Sequence, residues 1–104
     1  MSPSSLTIVA ISTAVPGKEG ALRAAQERLV AETVKEPGCL RYELSQSLDD
    51  DRVLIFTEKW ASEREWRAHM DGAAMKRFHD SGASRLIEKF SLFRLATVAD
   101  GTQK

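Results

Sequence analysis

A single cysteine, Cys39, stands in the 104 residues. No internal disulfide can form, and Cys39 lacks the Cys/His company of a zinc site, so the chemistry points to a reducing cytoplasm. Charge of one sign is also missing: 15 Lys+Arg balance 15 Asp+Glu, for a formal net charge of +0. That removes the long-range attraction by which basic proteins collect on phosphate backbones or anionic lipids, and no nucleic-acid or membrane partner is expected. No apolar run is long enough to span a bilayer, since Leu6 to Val15 is interrupted by Thr7, Ser12 and Thr13. There is no G-x-G-x-x-G, P-loop, H-E-x-x-H or G-x-S-x-G. Nucleotide cofactors and the common hydrolase machinery are thereby disfavoured. The two histidines, His69 and His79, lie ten residues apart, not at the spacing that puts two metal ligands on one helical face.

What is present reads as one small domain over residues 1 to 104, with a core from 6 to 98 and ragged ends at 1 to 5 and 99 to 104. LTIVAISTAV, residues 6 to 15, is β-branched and reads as a strand. Pro16-Gly17 ends it. From Lys18 to Glu36 good helix formers dominate, with Leu22, Ala25, Leu29 and Thr33 on one stripe. Glu36-Pro37-Gly38 stops the helix. CLRYELSQS then alternates, placing Leu40, Tyr42 and Leu44 on one face; the acidic turn Leu48 to Arg52 joins it in a hairpin to VLIFTEKW, residues 53 to 60. Ser62 and Glu65 have the spacing of a capping box, followed by Trp66 and His69 on one helical face. Asp71-Gly72 breaks that helix, a second short helix presents Met75 and Phe78, and Leu86 to Val98 reads as a last strand. Ile87, Ser91, Phe93 and Leu95 are expected on one face of it, against Phe90, Leu92 and Ala96.

The order β-α-β-β-α-α-β is that of an α+β, ferredoxin-like split βαβ fold: a four-stranded antiparallel sheet with helices on one face. The other face of the strands is too apolar for water. A homodimer through these sheet faces, closing into an α+β barrel, is the expected assembly.

The residues with chemistry cluster late. Trp60 ends a strand, Trp66 and His69 are three apart on the next helix, and Tyr42 lies on the neighbouring strand, so all four are candidates for one cleft. Tryptophans at such spacing equally suit a packed core. His69 is the candidate that can take a proton near neutral pH, while His79 suits the end of its helix, where a cation is favoured. Arg41, Lys59 and Arg94 suit solvated or paired surface positions.

Residues 36 to 70, EPGCLRYELSQSLDDDRVLIFTEKWASEREWRAHM, resemble the antibiotic biosynthesis monooxygenase family of small dimeric α+β barrel proteins, including its quinol monooxygenase branch. The matching pieces are the E-P-G-C turn with Tyr42, the acidic hairpin Asp49 to Asp51, the F-x-E-x-W of Phe56, Glu58 and Trp60, the Ser62 cap, and His69. The resemblance implies oxidation of a small phenol, quinol or polyketide-like aromatic by O2 without a cofactor, with His69 as catalytic base and Tyr42, Trp60 and Trp66 as substrate-binding residues. A non-catalytic, ligand-binding or stress-related member of the same fold is the alternative. Haem degradation fits less well, because the first strand has no Asn. Separately, the second histidine common in the family is missing, its run here being Gly72 to Met75, which disfavours a mechanism that needs two imidazoles. Chemically, such an oxidation needs a base, a dry pocket and a wall to hold the ring.

Overall fold

The computed structural model describes residues 5–101. The order is β1 (Leu6–Ala14), α1 (Glu19–Thr33), β2 (Cys39–Gln46), β3 (Val53–Trp60), α2 (Glu63–Met70), α3 (Ala73–Asp80), a 3-10 turn (Ala83–Leu86) and β4 (Ile87–Leu95). All pairings are antiparallel and the sheet order is β2-β3-β1-β4, the ferredoxin-like arrangement expected from the sequence. The last strand pairs with β1 of its own chain. The helices cover one face, giving a two-layer body of 47 × 32 × 21 Å. Residues 1–4 and 102–104, where ragged ends were expected, lie outside the described residues.

Strand alternation sets what each layer sees. On β1, Ile8, Ala10, Ser12 and Ala14 are buried beneath the helices, and on β3 Leu54, Phe56, Glu58 and Trp60 are buried with them. Helix α1 closes this face with Leu22, Ala25, Leu29 and Thr33, as its spacing predicts, and adds Gln26. It stops at Thr33, three residues earlier than expected, and Val34 to Glu36 continue as a turn. Gly38 follows at φ 80, where a Cβ would come within 2.2 Å of the Glu65 Cγ. Only glycine allows the turn at residues 36–39 to press against α2 in this way.

Three local expectations are corrected. Leu40 is 60% exposed rather than on the buried face, because the register slips between Cys39 and Arg41 and the extra residue turns outward. Ile87 joins Phe90 and Leu92 on the helix side of β4, because a second slip, where Ala14 pairs with Ile87 and Thr13 with Lys89, shifts the alternation by one residue. Ser62 is the N-terminal cap of α2 by backbone position, yet its hydroxyl donates to the Glu65 carboxylate and not to a backbone group, so the two side chains meet without the reciprocal backbone bonds of a capping box.

The outward sheet face carries Val9 and Ile11 from β1, Val53 and Ile55 from β3, and Phe93 and Leu95 from β4. Phe93 and Leu95 are 50% and 41% exposed.

Candidate active site

Between the helices and the sheet lies a cavity of about 400 Å3. Its floor is hollow because Ala10 stands in register between Phe56 and Leu92, so a methyl group occupies the space where its neighbours carry large side chains. Leu29, Met70, Met75 and Phe78 supply apolar walls from the three helices. The exposed lining residues Met70, His79, Glu88 and Phe90 mark the mouth. This size and apolarity suit a small-molecule site.

His69 and Tyr42 both line the cavity. The His69 side chain is 1% exposed, and its Nδ1 lies 2.8 Å from Glu36 Oε1. An Nδ1–H donated to that carboxylate fixes the tautomer and leaves Nε2 as an acceptor. Tyr42 Oη stands 3.5 Å from Nε2, at the outer limit of a hydrogen bond, so the two atoms lie close enough for one ligand oxygen to reach both. Burial lowers the His69 pKa below its usual value, opposed by the Glu36 carboxylate, so the ring is neutral at pH 7 and ready to accept a proton. Burial and the nearby Glu58 charge raise the Tyr42 pKa, and its phenol stays protonated.

The two tryptophans occupy other places. Trp60 is 0% exposed and stacks on the back of His69, with ring centroids 4.8 Å apart at 29°. It backs the imidazole and does not line the cavity. Trp66 points away from the cavity, with the guanidinium groups of Arg67 and Arg94 each 5.9 Å from its ring centroid. Arg94 pairs with Glu63, and Arg41 bonds Glu43, in keeping with the surface roles expected of them. His79 bonds the Ser84 hydroxyl at the mouth.

Sequence reasoning missed two acids. In the sequence Glu36 is the residue before a helix-stopping proline and the start of the E-P-G-C turn, and nothing in the chain shows that it meets His69, 33 positions away. Glu58 did carry a signal. It sits at period two between Phe56 and Trp60, so an inward direction was readable from strand alternation alone. Glu58 is 4% exposed, lines the cavity, and accepts a 2.9 Å hydrogen bond from Trp60 Nε1. Burial raises its pKa from 4.5 to about 7, and the indole hydrogen bond only partly opposes this. Among the described residues, no three metal-ligating side chains converge, and no helix is long and apolar enough to cross a membrane.

Comparison with known proteins agrees with this architecture. A search of curated proteins finds no match. A solved structure from Pseudomonas aeruginosa superposes with a TM-score of 0.85 at 30% identity, covering 92% of this chain and 96% of that one. One from Shewanella oneidensis gives 0.85 at 29% identity, over 92% and 93%. A Mycobacterium tuberculosis protein shares the fold at 22% identity with a TM-score of 0.85, covering 95% of this chain and 100% of its own. Residues 5–81 match the antibiotic biosynthesis monooxygenase family, and the chain, with its split βαβ sheet and its histidine-walled cavity, belongs to that family.

Proposed function

We propose that the protein is a cofactor-independent monooxygenase that oxidises a small phenol, quinol or polyketide-like aromatic with O2. The observation that carries this reading is the neutral His69, held by Glu36 on Nδ1 and presenting Nε2 to an apolar cavity of about 400 Å3. A phenolic hydroxyl lying within reach of both Tyr42 Oη and His69 Nε2 gives its proton to Nε2 and becomes an electron-rich phenolate. The phenolate passes one electron to O2, and the resulting aryloxyl radical and superoxide join at a ring carbon in a new C–O bond. Loss of the ring proton at that carbon then breaks the O–O bond: a carbonyl forms and the distal oxygen leaves, becoming water with two protons. One O2 is consumed, one oxygen atom is retained in the product, and no external reductant is required. Tyr42 orients the reacting oxygen, and Trp60 acts from behind as a positioning residue that holds the imidazole plane.

The same reading includes a homodimer. Val9, Ile11, Val53, Ile55, Phe93 and Leu95 form an apolar face on a thin two-layer body, and a second copy apposed there would remove it from water. The unpaired Cys39 suits a reducing cytoplasm.

The test is oxygen uptake on 1,4-naphthohydroquinone without added flavin or metal, corrected for its reaction in buffer alone. His69→Gln should lower turnover by about 100-fold or more while leaving the fold intact. Equal turnover by His69→Gln would remove it as the base. Binding of the naphthohydroquinone with no uptake above the buffer reaction would favour the non-catalytic, ligand-binding alternative.

A further inference from the structure

Glu58 is a buried carboxyl on a strand face whose other buried residues, Leu54, Phe56 and Trp60, are apolar. Strand alternation aims it inward, with Tyr42 on β2 and Ile8 on β1 directly across from it. It lines the cavity, and its one hydrogen-bond partner among the described residues is the indole N–H of Trp60 on its Oε1. No Lys, Arg or His lies within salt-bridge distance of it among those residues. A buried carboxylate without a counter-ion is costly, so the group is held near the point where it keeps its proton. That is the state of an acid and not of an ion-pair partner.

The oxygenation proposed above has a base but no assigned acid. His69 takes the phenolic proton, and the O–O bond breaks readily only if the departing oxygen receives one. We infer that Glu58 is the catalytic acid of this site, delivering its carboxyl proton to the distal peroxide oxygen as water leaves; this rests on the monooxygenase reading. Glu58 and His69 line the same apolar space, so base and acid act on one ligand from two elements, α2 and β3. After turnover His69 is protonated and Glu58 ionised, and one proton passing from the first to the second restores both. Their environments push the two in the needed directions: burial leaves His69 reluctant to hold a proton and Glu58 reluctant to lose one. The titratable and charged groups around Glu58 are Tyr42 and Cys39 from β2, and His69 from α2 with Glu36 behind it. Across the cavity stand His79 from α3 and Glu88 from β4. From α1 the cavity receives only the uncharged Gln26 and Leu29.

Two product channels separate the acid from the base. With oxygen transfer, 1,4-naphthohydroquinone and O2 give 2-hydroxy-1,4-naphthoquinone and water. Without a proton for the O–O bond, the same reactants give 1,4-naphthoquinone and hydrogen peroxide. The experiment measures both quinones and peroxide for the intact protein and for Glu58→Gln, which keeps an acceptor for Trp60 Nε1, across pH 5 to 9. Circular dichroism confirms the variant's fold, and infrared difference spectra follow the carboxyl band. The intact protein should favour the hydroxylated product below neutral pH and lose that preference as the carboxyl band disappears. Glu58→Gln should lower the ratio of hydroxylated product to peroxide at least tenfold at low pH and abolish its pH dependence, while O2 uptake continues. An unchanged ratio and pH profile in Glu58→Gln would overturn the acid assignment and leave the oxygenase standing. Absence of hydroxylated product from the intact protein would overturn both.

Discussion

Replacing Glu58 by Gln should change how the fold responds to pH, independently of any reaction. The folded protein raises the Glu58 pKa from 4.5 to about 7. At about 1.4 kcal/mol for each tenfold change in proton affinity, ionising this group in the fold costs about 3 kcal/mol more than in the unfolded chain. Below pH 4.5 the group is protonated in both states and the cost is absent; it grows as pH rises and is complete above pH 7. Stability is therefore lost in the alkaline direction across that window. His69 works the other way, because its folded pKa lies below 6.5 and stability is lost as pH falls through that lower value. The difference between the native protein and Glu58→Gln cancels the histidine. Urea unfolding at one fixed chain concentration should show Glu58→Gln gaining about 3 kcal/mol relative to the native protein between pH 4.5 and 8, a large share of the roughly 5 to 15 kcal/mol typical of a domain. Trp60→Phe, which deletes the indole donor to Glu58, should move the transition to higher pH. A difference that stays flat across the range would refute the reasoning, since it would mean that the buried carboxyl titrates as it does in water.

Two further outcomes follow from the same geometry. Glu36→Gln removes the carboxylate that supports the His69 proton; the acid limb of kcat/KM should move to lower pH and the plateau should fall about tenfold or more, part of the roughly 10² to 10⁴ that a general base supplies. An unmoved limb in a pH–rate series would show that Glu36 does not tune the imidazole. On the outward face, Phe93→Glu places a charge beside Val9. Sedimentation at micromolar concentration should give twice 11.5 kDa for the native protein and 11.5 kDa for the variant. A native protein that sediments as a single chain would remove the dimer.

Much of this molecule could be read from the chain. Period-two alternation located the four strands, the Pro16-Gly17 and Pro37-Gly38 breaks bounded α1, and the element order led to the split βαβ sheet. The same periodicity puts His69 and Tyr42 on buried faces, and both line the cavity. These features are local: they follow from how successive Cβ atoms project along a strand or helix, which a short window of residues reveals. Two register slips moved Leu40 outward and Ile87 inward, because whether a bulge forms depends on the neighbouring strand as well as the strand itself. Tertiary structure also chose between the two meanings of the tryptophans, stacking Trp60 behind His69 and turning Trp66 toward Arg67 and Arg94. Most of all it built the histidine–carboxylate pair: Glu36 reaches His69 because Gly38, lacking a side chain, lets its turn settle against Glu65 on the helix that carries the histidine. Periodicity announces which residues go inside. Which of them meet there is decided by how closely separate elements can approach, and that distance belongs to the packed structure.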